Sequence, residues 1–91
     1  MEYLNFINSL ASEGFAEPVK VSRDPNGFLD SHTHPFEAKA LILEGEIKII
    51  VAAQEKTYRP GDIFQLAENT PHAEFYGPNG VTYLVGRKSH A

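Results

Sequence analysis

The chain has 91 residues, a length for one domain with a modest core. It contains no cysteine, which excludes disulfide staples and thiolate chemistry and gives no sign of an oxidising compartment. A net charge of −4, with no basic cluster beyond Arg87 and Lys88, argues against a phosphate-binding surface and so against a nucleic-acid partner. The longest apolar runs, Ala40–Leu43 and Ile49–Ala53, are too short to span a bilayer. The opening MEYLNFINSL lacks the basic leader and unbroken apolar stretch of a secretion signal. The expectation is a soluble, cytoplasmic, single-domain protein with no membrane partner.

Residues 2–13 place Leu4, Ile7, Leu10 and Ala11 on one helical stripe, with Tyr3 and Phe6 beside it and Gly14 as a stop. Residues 1–14 are therefore expected as a short amphipathic helix, which is stable only when docked. After Gly14 the period changes: Val19 and Val21 alternate with Lys20 and Ser22, and Asp24-Pro25-Asn26-Gly27 is a strong turn. Punctuation then recurs at Glu44-Gly45, Arg59-Pro60-Gly61-Asp62, Glu68-Asn69-Thr70-Pro71 and Gly77-Pro78-Asn79-Gly80. Between these lie short segments rich in β-branched and aromatic residues: 38–43, 47–52, 57–58, 63–66, 73–76 and 81–85. This spacing predicts an all-β sandwich or barrel over residues 15–91. Gly45, Gly61, Gly77 and Gly80 read as turn residues, and Asn79-Gly80 as a hairpin.

Three of the four histidines, His32, His34 and His72, fall on or beside the predicted strands. Side chains two apart in a strand share a face, so His32 and His34 present two imidazoles together. Three imidazoles on a rigid sheet suit a divalent transition metal. An H-x-H pair alone is a weak signal; a distant Pro-His after a P-G-D turn strengthens it.

On these residues the chain resembles the cupin superfamily, whose two motifs cover residues 27–75. The first is matched at His32, His34 and Gly45, with Gly27 one position closer than usual. The second is matched more loosely, at Pro60-Gly61-Asp62 and Pro71-His72. HPFEAKALILEGEIKI and YGPNGVTYLVGR also look like small single-domain cupins. The resemblance implies a double-stranded antiparallel β-helix barrel (the jelly-roll form), usually dimeric, holding a metal such as Fe, Zn, Ni or Mn inside.

The family's glutamate position falls on Ala38. Glu37 is one residue early, and in an unbroken strand it faces away from the histidines, although a bulge at Pro35-Phe36 could turn it inward. Without it, the resemblance implies a three-histidine site like that of the thiol-dioxygenase branch. Glu74 shares the face of His72 and reads as a ligand, a partner behind the ligands, or a solvated rim residue. Gln65 lines a pocket or faces water. Phe36, Phe64, Phe75 and Tyr83 are candidate walls, and Tyr58 or Tyr76 could supply a phenol. His90 reads as a tail residue.

Three functions fit: a metalloenzyme acting on a small polar molecule, a binding or sensing barrel for a small-molecule ligand, and a metal-free structural barrel. A homodimer is expected because alternation sends Leu41 and Leu43 to the face opposite Ala40 and Ile42, leaving apolar surface, with part of the Ile49-Ile50-Val51 run, that one short helix cannot cover.

Overall fold

The structure, a computed structural model, describes residues 2–89; His90 lies outside the described residues. The N-terminal stripe forms α1 (Glu2–Ser12). It ends in a Schellman motif: the Phe15 amide donates to the Leu10 carbonyl at 2.9 Å and the Gly14 amide to that of Ala11 at 3.2 Å. Phe15, Leu10 and Phe6 then pack on Leu41, with Leu43 and Leu84 closing the cluster. Lys88 Nζ donates to the Glu13 carbonyl at 2.6 Å and Lys39 pairs with the Glu13 carboxylate at 3.0 Å, fastening the helix end to the sheet.

Six strands follow: β1 (Val19–Arg23), β2 (Phe28–His32), β3 (Glu37–Val51), β4 (Gln54–Tyr58), β5 (Ile63–Leu66) and β6 (His72–Lys88). The two long strands are the frame. They pair antiparallel from Glu37↔Lys88 to Ile50↔Ala73. At one end of this ribbon β1 flanks β6 and β5 flanks β3, giving the order β1-β6-β3-β5. At the other end β2 flanks β6 and β4 flanks β3, giving β2-β6-β3-β4. The two halves share one core: Ala40, Ile42 and Val85 come from the first, Ile47, Ile49 and Tyr76 from the second. This is the layered all-β architecture expected of a jelly roll. Among the described residues the sheet is not closed, however: β1, β2, β4 and β5 each pair with a long strand only.

The joint between the halves corrects the sequence reading. Glu44-Gly45 and Gly77-Pro78-Asn79-Gly80 are not turns between strands, and no hairpin forms at Asn79-Gly80. Both stretches lie inside continuous strands, of 15 and 17 residues, and bend them. Register shifts between Ile42 and Glu44 and between Gly45 and Ile47 mark the bulges. Each bulge reverses parity. The buried set runs Ala38, Ala40, Ile42 before the bend and Ile47, Ile49 after it; in β6 it runs His72, Glu74, Tyr76 and then Val81, Tyr83, Val85. Gly45 and Gly80, both at φ +72°, pass so closely that a Cβ on Gly45 would collide with the Gly80 carbonyl.

Other differences are local. The predicted segment 47–52 stops at Val51, and β4 starts three residues earlier than predicted. Ala52 and Ala53, at φ 51° and 67°, form the two-residue turn between them. FLDSH forms β2 although its pattern gives no alternating apolar signal. The Arg59–Asp62 turn forms as expected, with the Arg59 amide bonded to the Asp62 carboxylate at 2.8 Å, and Ile42 and Gly61 hold it against β3. Leu41 is buried under α1 and Ile49 inside the core, so these residues need no second copy. The exposed apolar side chains are elsewhere, notably Phe28 (59%) and Phe75 (38%), stacked with centroids 6.0 Å apart.

Gly45→Ala combines a left-handed φ with a backbone collision, a cost on the order of 3 kcal/mol. Its thermal midpoint, followed by circular dichroism, should fall by more than about 10 °C. Relief of one left-handed alanine in Ala53→Gly should raise the midpoint by about 4–8 °C. An unchanged midpoint in Gly45→Ala would show that the crossing is not tight.

Candidate metal centre

β2 ends at His32 and β6 begins at His72, and these two residues are direct partners across the ladder. Adjacent strands thus deliver two imidazoles side by side, with centroids 4.3 Å apart. His34 lies in the loop before β3, its ring edge-on to His32 at 4.9 Å and stacked on Phe36 at 4.9 Å. The Asn69 amide donates to the His34 carbonyl at 2.8 Å, which ties the Glu68–Pro71 turn to this loop and sets His72 beside His34. Alternation along β6 then carries Glu74 onto the face of His72.

Donor atoms of His32, His34, His72 and Glu74 lie within 4.8 Å of one another. A metal holding each at about 2.2 Å needs donors no more than about 4.4 Å apart, so small side-chain shifts close the shell. Glu74 is buried, which overturns its reading as a solvated rim residue. Its Oε2 lies 3.1 Å from His72 Nε2 and 3.4 Å from His32 Nε2, and its Oε1 accepts from the Tyr76 hydroxyl at 3.1 Å. Glu37 is not among the clustered donors; Gln65 Nε2 donates to its carboxylate at 2.6 Å.

The hydrogen bonds behind the rings set the chemistry in front. His32 Nδ1 lies 2.7 Å from the Asp30 carbonyl and His72 Nδ1 2.9 Å from that of Thr70. A carbonyl only accepts, so each Nδ1 carries the proton and, in a neutral ring, each Nε2 presents a lone pair. Both lone pairs aim at Glu74 Oε2, itself an acceptor. His32 Nε2 is buried and has no hydrogen-bond partner among the described residues. Converging lone pairs need a cation or an added proton between them. Nδ1–H bonded to a backbone carbonyl, with Nε2 turned inward, is the usual arrangement of a metal-ligating histidine. The residues present fit a divalent metal.

Burial, followed by the proximity of His32 and His72, pushes His34 below the ordinary imidazole range and keeps it neutral. Burial and then the Glu74 carboxylate push both Tyr76 and Tyr83 up, so both phenols remain donors.

A cavity of about 80 Å³ opens from the cluster, and Phe36, Phe64 and Tyr83 line it as the sequence suggested. Gln65 and Phe75 do not. Each neighbours an inward residue, Phe64 or Glu74, so alternation turns it away. Phe75 lies on the outer face, where Lys48 covers its ring. Gln65 borders a larger, open cleft of about 460 Å³ that also includes Tyr58 and contains no histidine, whereas the smaller cavity holds the clustered donors. Sequence reasoning missed Arg23, Leu29 and Arg87, which line the smaller cavity. Parity could have found both arginines: Arg23 continues the Val19–Val21 face, and Arg87 continues Val81–Tyr83–Val85.

The family model described as "Cupin domain" matches residues 19–75. No curated protein matches the chain. Solved structures with a similar fold include a cupin superfamily protein from Desulfitobacterium hafniense (19% identity, TM-score 0.70, covering 80% of this chain and 66% of that one). Two others are the DMSP lyase DddQ from Ruegeria pomeroyi (23% identity, TM-score 0.72, 81% and 38%) and KdgF from Halomonas sp. (17% identity, TM-score 0.67, 81% and 69%). The chain spans 58–66% of the first three structures it resembles, less than two thirds of their length. With the match spanning both histidine-bearing segments and the paired four-stranded halves on the page, the chain belongs to the cupin family.

Proposed function

We propose that this chain is a metal-dependent cupin in which His32, His34, His72 and Glu74 hold one divalent transition metal. The reading rests on the inward-facing, unpartnered Nε2 of His32 beside the buried Glu74 carboxylate. This set adds a carboxylate to the three histidines expected from sequence, and leaves the Glu37 alternative without support. A bound metal would supply Lewis acidity or, if it is iron, one-electron chemistry toward an oxygen ligand. The protein's own groups do the rest. Tyr76 holds Glu74 through its hydroxyl, Tyr83 presents a second phenolic donor, and Phe36 and Phe64 keep water from the cavity wall. A small polar molecule is the ligand class that such a cavity admits, because its volume is far below the range of roughly 300–1,000 Å³ typical of drug-sized sites. Catalysis is favoured over sensing because the four clustered donors open into a cavity that the Tyr83 phenol also lines. Ligand binding without turnover would support the sensor instead. A metal-free barrel is the third reading, supported by the His72–Glu74 contact at 3.1 Å. A homodimer belongs to this proposal as well, with exposed Phe28 and Phe75 rather than Leu41 and Leu43 as its support. Light scattering showing a single-chain mass would remove it.

Elemental analysis of purified protein should find one transition metal per chain, and His72→Ala or Glu74→Gln should lose it while Glu37→Ala keeps it. Protein refolded with added metal that still carries none would establish the metal-free reading.

The pH dependence of the metal-free chain has a definite sign. His34 lies below its ordinary 6.5 in the folded state, so between the two values the unfolded chain binds more protons. Stability without metal therefore rises with pH up to about 6.5 and then levels off. Denaturant titrations of chelator-treated protein from about pH 5 to about pH 8 read this slope, and His34→Phe should flatten it.

A further inference from the structure

We infer that the cavity takes a short-chain carboxylic acid, with its carboxylate held by Arg23 and Arg87 opposite the four clustered donors. The inference rests on the proposed metal reading of the same site but uses different residues. His32, His72 and Glu74 belong to the half of the sandwich carrying β2, whereas Arg23 and Arg87 stand on β1 and on the far end of β6, in the other half. All five line one cavity of about 80 Å³.

Both guanidiniums are set for an anion. Arg87 lies over the Phe36 ring with its guanidinium carbon 5.4 Å from the centroid, and Phe36 in turn stacks on His34. Stacking fixes the guanidinium plane and leaves its edge free to make two parallel hydrogen bonds to a carboxylate. Arg23 sits beside the Tyr83 hydroxyl, which adds a neutral donor to the same wall. Among the described residues, neither arginine forms an ion pair with a carboxylate; the ion pairs belong to Glu13, Glu46, Glu55 and Glu74. Both guanidiniums are solvent-exposed at the cavity mouth and have no carboxylate partner, so an anionic ligand can reach and bridge them.

The rest of the lining selects the class of anion. Leu29, Leu66 and Val85 give the cavity apolar walls, which match a short hydrocarbon portion and offer nothing to a bare phosphate. The volume admits only a few heavy atoms. An acid with a second oxygen near its carboxylate reaches across, its carboxylate on the arginines and that oxygen toward the metal position.

The test is calorimetric titration and thermal shift of metal-loaded and chelator-treated protein. The probes are glycolate, lactate, pyruvate, malonate and succinate, with glycolamide, lactamide, glycerol and inorganic phosphate as controls. At least one acid should bind, more weakly as salt rises, while the amides and glycerol do not. Arg87→Gln and Arg23→Gln should each weaken that acid about ten- to a hundredfold, with metal content and melting of the unliganded protein unchanged. Amides binding as tightly as acids, phosphate outcompeting every acid, no acid binding at all, or the double arginine variant keeping full affinity would each overturn the inference. Metal content is read in the same samples. Metal-loaded protein that binds no acid defeats the carboxylate site alone; arginine-dependent acid binding in protein that takes up no metal on loading defeats the metal reading alone.

Discussion

The close crossing of Gly45 and Gly80 is the constraint on which the rest of the molecule depends. A flat ribbon of β3 and β6 would leave one face of every strand in water. Bending both strands at one level turns each half into a cover for the other, and the bulges there reverse which residues face inward. Odd-numbered Leu41 and Leu43 point out toward the helix, while odd-numbered Ile47 and Ile49, beyond the bend, point into the core. The same reversal in β6 places His72 and Glu74 inward in one half and Tyr83 and Val85 inward in the other. Because the strand doubles back, His72 at its start and Arg87 near its end line one cavity. The site is thus a product of the bend.

Within that site, energy magnitudes decide what Glu74 requires. Burying an ionised carboxylate carries an effective penalty of several kcal/mol. The bond from Tyr76 is charge-assisted and returns about 1.5–3 kcal/mol. The two nearby Nε2 atoms return nothing while they present lone pairs, because their protons are committed to the carbonyls of Asp30 and Thr70. A positive charge placed between the donors would meet the remaining deficit. A divalent ion would meet it for all four residues at once, whereas a proton would serve one pair and leave the buried His32 nitrogen unmatched.

Much of this was legible in the sequence, for identifiable reasons. The H-x-H pair and the distant Pro-His signalled convergence because strand alternation is a two-residue rule that needs no tertiary context. The P-G-D turn was readable because Asp62 caps its own backbone locally. What sequence missed depends on partners. Gly45 and Gly80 carry ordinary turn chemistry, and only the strand passing opposite shows that they bend strands instead. Glu74 reads equally well as rim or core until the facing half covers it. FLDSH gave no signal because four of the five β2 residues are exposed, and what defines the strand is pairing with β6. Arg23 and Arg87 were overlooked because charge suggests surface, and both are exposed, yet Arg23 shares the face of Val21 and Arg87 that of Tyr83 and Val85, so both stand at the mouth of the cavity.

The position of the site has a thermodynamic consequence. His32 ends a strand, His34 occupies a loop and His72 begins a strand held by the Glu68–Pro71 turn, so all three donors stand where strands fray most readily. A ligand that bridges these ends joins β2, β6 and the loop before β3, and its binding free energy adds directly to stability, because the unfolded chain cannot present the same donors. The proposed carboxylate extends the bridge to β1 and the far end of β6, coupling the two halves across the cavity. Occupancy and rigidity would then be one equilibrium: each ligand that orders these ends would lower the ordering cost left for the next, so the proposed metal and acid would bind with positive cooperativity even without a change in fold.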